Sequence, residues 1–145
     1  MSSNKGYKFL DHTADEYVLA YGVNLEEAFE NAALAMFDVM TDIETIDPKE
    51  SDSIEIKAQD EKHLLYTWLE NLLIMFDIDR KLFSKFKINK IKRIDNTFLL
   101  TATIWGETYN KKKHPSRTNV KSITYHRMTI FKEKNKSSVK FILDI

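Results

Sequence analysis

Cysteine is absent from all 145 residues, which excludes a disulfide framework, a thiolate metal site and a cysteine nucleophile, and is compatible with a reducing compartment. Glycine is almost as scarce. Gly6, Gly22 and Gly106 are the three present, and none belongs to a phosphate loop or a dinucleotide fingerprint, which need clustered glycines to bring the backbone close to a phosphate. No nucleophile elbow is found. The histidines His12, His63, His114 and His126 have no spacing suited to zinc, and His63, in the first turn of an expected helix, reads as a surface residue. No stretch approaches the ~20 consecutive apolar residues of a membrane-spanning helix, and Met1 to Lys5 lacks the apolar run of a signal peptide. These absences point to a soluble protein with no membrane role, cytoplasmic, with a nuclear location also open.

An excess of one charge is lacking as well, but only in the sum. Residues 1–80 hold 18 Asp and Glu against 6 Lys and Arg, a net −12, while residues 81–145 hold 4 against 16, a net +12. If strands from both halves share a sheet, much of this division becomes mixed surface charge and cross-strand pairing; otherwise it marks a basic face for an acidic partner or nucleic acid. The length fits one domain, residues 1–145, with enough chain to bury a core.

Two helices are expected. Leu25, Ala28, Phe29, Ala32, Met36, Phe37 and Met40 recur at three- and four-residue spacing and align as one apolar stripe. Asn24, with Glu27 three residues on, resembles a capping box. A second helix starting near Asp60 places Leu65, Trp68, Leu69, Leu72, Leu73 and Phe76 on its buried side. Met36, Met40 and Met75 lie on or near the stripes, where gap-filling in an apolar interior is the natural role. Elsewhere the period drops to two, as on a pleated strand. Ile54, Ile56 and Ala58 alternate with Glu55 and Lys57; Phe98, Leu100, Ala102 and Ile104 share one face; Val139, Phe141, Leu143 and Ile145 alternate to the last residue. Residues 83–94 read as a strand with an irregularity, and 123–131 as another. The order strand, strand, helix, strand, helix, then several strands predicts an α+β two-layer sandwich: a mainly antiparallel, mixed β-sheet with two α-helices on one face and the other face partly open. Lys111 to Asn119, containing Pro115, is the expected mobile loop.

Three places could carry chemistry. The block Asp11-His12-Thr13-Ala14-Asp15 packs two carboxylates and an imidazole between two strand-like stretches. It is either a functional cluster held at a rigid sheet junction or a polar turn whose side chains bond nearby backbone. At the other end, a strand pattern runs into Asp144 and Ile145; a fixed final strand would hold the Asp144 side chain and an ionised α-carboxylate together. Were Asp15 to lie there too, three carboxylates would converge, and such a set suits a hard divalent cation, Mg²⁺ or Ca²⁺, better than Zn²⁺. The third place is Val120 to His126, where Lys121 and His126 could reach a phosphate or an acidic partner, or simply line the polar face of an exposed strand.

Taken together, Tyr7 to Asp15, Leu25 to Ala33, the Leu64–Phe76 helix, Val120 to His126 and the terminal Ile142-Leu143-Asp144-Ile145 resemble the archease family, in order and over nearly the whole chain. The resemblance implies a non-catalytic activator of the RNA-splicing ligase, which joins a 3′-phosphate or 2′,3′-cyclic phosphate end to a 5′-hydroxyl in tRNA splicing. Such an activator promotes guanylylation of the ligase's active-site histidine and so multiple turnover. It also implies a divalent-metal site on Asp15, Asp144 and the terminal carboxylate of Ile145, with Lys121, His12 and His126 as partner or phosphate contacts and tRNA touched weakly or indirectly. Ser122 stands where alanine is common in the family, and the loop from Asn110 to Arg117 is more basic than the motif requires. The alternatives are an RNA-binding module using the basic C-terminal half and, with less to support it, a metal-dependent hydrolase on the same carboxylates.

Overall fold

The computed structural model describes residues 6–10 and 15–145. Seven strands and two helices follow the expected order: β1 Tyr7–Leu10, β2 Glu16–Gly22, α1 Leu25–Met40, β3 Glu50–Ala58, α2 Glu61–Asp79, β4 Lys81–Ile94, β5 Thr97–Thr108, β6 Ser122–Glu133 and β7 Lys136–Asp144, with a short 3₁₀ turn at Ile43–Thr45. The strands divide into a four-stranded sheet, β1-β2-β7-β6, and a three-stranded sheet, β3-β5-β4. Every pairing among the described residues is antiparallel. Both helices pack against strands of both sheets.

Local chemistry starts each helix where its orphan N–H groups find acceptors. Asn24 Oδ1 accepts from the Glu27 N–H at 2.8 Å, and Glu27 Oε1 accepts in return from the Val23 N–H at 2.8 Å. This is a capping box displaced by one residue, since the usual return bond goes to the cap residue itself. Asp60 caps α2 by accepting from the His63 N–H at 2.7 Å, and α2 ends at Arg80 in the left-handed region, φ 56°.

The two apolar stripes meet β4. Phe37 lies 5.9 Å edge-on from Phe83 and 6.0 Å from Phe86, which also meets Trp68 at 6.0 Å and Phe83 at 6.5 Å. The Trp68 indole N–H is satisfied by the Phe29 carbonyl at 2.9 Å, so this large side chain is fully buried with no polar group stranded. The irregularity expected in β4 is real: its register against β5 shifts between Phe83 and Lys85 and again between Ile88 and Lys90. Gly106 faces Phe83 beside the first shift, and a Cβ there would lie 1.8 Å from the Leu82 carbonyl oxygen.

Because β2 pairs with β7 and β3 with β5, the acidic and basic halves of the chain interleave. Ion pairs cross between them: Asp52 with Lys81 at 3.1 Å, Asp47 with Lys113 at 2.7 Å, Asp38 with Arg117 at 3.0 Å and Glu61 with Lys132 at 2.6 Å.

The segment from Lys111 to Asn119, expected to be mobile, is instead tied down along its length. His114 is 1% exposed; its Nδ1 accepts from the Asn110 N–H at 2.8 Å, which leaves Nε2 to donate to Glu107 Oε2 at 2.8 Å. Lys113 reaches both Asp47 and Glu107, and the Arg117 and Thr118 N–H groups donate to the Met40 and Val39 carbonyls at the end of α1. Burial alone would push the Glu107 carboxyl up; bonds from Lys113, the Asp47 N–H and His114 outweigh that and hold it at about 2. Nothing in the local sequence signals this network, because Asp47 and Glu107 are 60 residues apart.

Candidate metal-binding carboxylate site

Register decides which of the candidate side chains can meet. Glu16 is paired with Leu143 across β2 and β7, and Asp15 and Asp144 are the next residues beyond that last pair. Ser122 is paired with Asp144 across β7 and β6, so Lys121 lies beside Ile145, and its N–H donates to the Asp144 carbonyl at 2.8 Å. Three segments far apart in sequence therefore end together at one edge of the four-stranded sheet.

Alternation then fixes the face. Val18, Phe141 and Leu143 point into the core shared with the helices. Their neighbours Tyr17 and Ile142 therefore point the other way, and Asp15, Asp144 and Ser122 share that outer side with them. Tyr17 and Ile142 are nonetheless buried, and they stand apart from the main core cluster. Tyr17 is covered from β6, whose pairing with β7 is widely irregular. Thr124 pairs with Ile142 and the next pairing is Thr129 with Lys140, so the four residues between span a single position of β7. Arg127, at φ 59° within that stretch, lays its guanidinium 4.9 Å from the centre of the Tyr17 ring on the far side of β7. The carboxylate end of the sheet thus rests on an apolar patch roofed by its own chain.

Asp144 Oδ2 lies 3.5 Å from the Ser122 hydroxyl, a long and weak bond. Lys121 is exposed. His126 is exposed in the looped-out stretch, its N–H donating to Thr124 Oγ1 at 2.9 Å; the register does not bring it beside Asp144. His12, with Asp11, Thr13 and Ala14, lies outside the described residues. Among the described residues no group of three or more His, Cys, Asp and Glu side chains is gathered as for a metal. What the register leaves at this end of the sheet is Asp144 on β7 and Asp15 just before β2. Carboxylate oxygens of this kind suit Mg²⁺ or Ca²⁺ and give no reason for Zn²⁺. Arg127 and Tyr17 escaped sequence reasoning because a pairing across an intervening strand leaves no periodic signal.

Comparison with known proteins agrees over the same span. A family model described as the Archease protein family (MTH1598/TM1083) matches residues 7–145. Protein archease of Sulfurisphaera tokodaii is 46% identical over 140 residues, covering 96% of this chain and 98% of that protein. Protein archease of Methanothermobacter thermautotrophicus is 46% identical over 141 residues, covering 97% and 99%. The solution structure of Methanobacterium thermoautotrophicum protein 1598 superposes with a TM-score of 0.85 at 45% identity, covering 97% of this chain and 99% of that one. A crystal structure from Thermotoga maritima, described as an archease and possible chaperone, has a TM-score of 0.57 at 19% identity over 95% of this chain and 96% of that one, and speaks to the fold alone. Among the described residues no helix is long and apolar enough to cross a membrane.

Proposed function

Because this chain belongs to the archease family, we propose that it is a non-catalytic protein activator of the RNA-splicing ligase, working from the carboxylate edge formed by Asp15, Asp144 and Ile145. The observation that supports this reading is the strand register, in which β2 and β7 pair up to Glu16 and Leu143, the residues next to Asp15 and Asp144, and Lys121 donates to the Asp144 carbonyl.

Two carboxylates about 4 Å apart in a partly desolvated site repel by roughly 4 kcal/mol at an effective dielectric of 20. Asp15, Asp144 and the α-carboxylate of Ile145 would together hold a divalent cation, Mg²⁺ or Ca²⁺, which balances their charge. When bound, that ion supplies a point of positive charge for nucleotide or ligase phosphate oxygens. The backbone bond from Lys121 to Asp144 keeps the two strand ends in step, and the Lys121 ammonium, exposed beside them, stabilises phosphate charge during guanylylation of the ligase. The Tyr17, Ile142 and Arg127 patch lies behind the strand ends, with Asp144 the last residue of β7 and Asp15 the residue just before β2. The substrate chemistry belongs to the ligase.

The test is multiple-turnover RNA ligation with and without Asp15→Ala protein whose circular dichroism matches the parent. Loss of stimulation is expected, and full stimulation by the variant would remove the central claim. Extending the chain past Ile145 should weaken divalent-ion binding by calorimetry if the α-carboxylate is a donor. A hydrolase reading makes the opposite demand, namely turnover of phosphoesters by this protein alone with excess Mg²⁺.

A further inference from the structure

We propose that the outer face of the three-stranded sheet is a second binding surface, one that takes the phosphate backbone of nucleic acid without regard to sequence. It goes beyond the carboxylate edge and does not depend on the ligase, because the binding is measured without it.

The face is generated by strand alternation. Ile56, Leu100, Ala102, Ile104, Phe86 and Ile88 point inward to the helices, so their neighbours point out. On β4 these are Lys85, Lys87, Lys90 and Lys92, all exposed. They pair in register with Trp105, Thr103, Thr101 and Leu99 of β5, and the shift between Ile88 and Lys90 keeps Lys85 and Lys87 on the same side as Lys90 and Lys92. With successive same-face residues ~6.7 Å apart, the row runs for roughly 20 Å along an open sheet.

β4 itself carries no acidic residue to balance the row. Lys81, Lys113, Arg117 and Lys132 each meet a carboxylate within 4 Å; among the described residues, no lysine of the row forms such a pair. Lys85 lies instead over the Trp105 ring, 4.7 Å from its centre. Lys87 also feels the field of Glu30 on α1. The nearest carboxylates on the sheet itself are Glu55, on β3 and so two strands from β4, and Asp95, beyond the end of the row.

Lysines on an edge strand often serve to block edge-to-edge aggregation. That role is already filled here. The free edge of β4 is covered from α1, where Glu30 accepts from the Ile88 N–H at 2.8 Å and Glu26 from the Ile91 N–H at 3.4 Å. The lysines stand on the face instead. Protein interfaces favour aromatic anchors and disfavour lysine, and this face offers one tryptophan against four lysines, flanked by the hydroxyls of Ser51, Ser53, Thr101 and Thr103. Regular positive charge with neutral hydrogen-bonding groups is what a polyphosphate backbone needs.

The probe is an unstructured RNA of roughly 12 nucleotides, titrated at about 50 mM salt and upward. With all four lysines of the row changed to Gln, affinity at low salt should fall by at least about tenfold and the slope of log K against log[salt] should become shallower by about 3. Lys111, Lys112, Lys134 and Lys136, changed together to Gln, remove the same charge elsewhere and should leave most of the binding. Trp105 gives a second readout in the unaltered protein: Trp68 is fully buried, so a change in fluorescence as phosphate draws Lys85 off its ring reports this face. The proposal is overturned if the parent protein shows no binding at low salt, if the row variant binds as well as the parent, if both variants weaken equally, or if a poly-aspartate peptide of equal charge binds as tightly as the RNA.

Discussion

The two sheets obey the same alternation rule and end with opposite outer faces. On the four-stranded sheet the outward residues Tyr17 and Ile142 are buried, Tyr17 under the Arg127 guanidinium from the irregular stretch of β6, and Asp144 ends the face on β7. On the three-stranded sheet the outward side of β4 carries Lys85, Lys87, Lys90 and Lys92 in the open. Both faces depend on irregular pairing, but to different ends. A surplus of residues in β6 brings Arg127 over Tyr17 on the first sheet, while the shift between Ile88 and Lys90 in β4 holds a repeat of like side chains on the second. The bulge therefore acts once as a lid and once as a means of keeping phase.

The comparison breaks hardest at the carboxylate edge. Asp144→Asn keeps the main-chain bond from the Lys121 N–H to the Asp144 carbonyl, and with it the register, while removing one charge from the set. Ligase stimulation should drop by tenfold or more, on the scale of lost metal-site groups. The unfolding free energy should move by less than about 0.5 kcal/mol, as for a surface substitution. A stability loss large enough to explain the activity loss would make Asp144 a structural residue.

Glu107 supplies the contrast of a carboxylate whose partners are all protein. Its carboxyl is held at about 2 against an ordinary 4.5, so its contribution is fully present above about pH 4.5 and disappears as pH falls towards 2. The shift corresponds to a stabilisation on the order of 3 kcal/mol. Glu107→Gln should lose much of that at pH 7 in urea unfolding, and the difference between variant and parent should shrink on acidification. A constant difference down to pH 2 would mean that packing, not charge, is what Glu107 contributes.

Gly106→Ala tests how β4 keeps its phase. The added methyl would meet the Leu82 carbonyl, a main-chain atom that can move only with the strand. Destabilisation of about 1–3 kcal/mol is expected, as for other overpacked sites.

The legible parts of this fold were those with local causes. The stripe from Leu25 to Met40 and its Asn24–Glu27 start were readable because spacing and capping lie within one helix, and the break in the pattern after Phe83 already disclosed an irregular strand. Asp15 and Asp144 could be suspected but not joined from spacing, since their meeting depends on the order β2-β7-β6, which periodicity does not encode. The resemblance of motifs supplied that link. The division into two sheets, the pinning of Lys111 to Asn119 and the cover over Tyr17 were not legible for the same reason: each depends on partners dozens of residues away. Proline and a basic run suggested mobility in that loop, yet a buried histidine between Asn110 and Glu107 outweighs both.

The smallest effect is the one whose sign is most informative. Neighbouring lysines on one face of β4, ~7 Å apart, repel by about 0.6 kcal/mol per pair in water before salt screening. Changing the row to Gln should therefore leave stability unchanged or raise it slightly at low salt, with the gain fading as salt is added. Lys81, on the same strand but bonded to Asp52 at 3.1 Å, should behave in the opposite way, Lys81→Gln costing up to about 1 kcal/mol. Chemical denaturation of both variants at two ionic strengths measures the difference directly. If the row variant is instead destabilised like Lys81→Gln, those lysines are bound within the fold and are not held open for a partner.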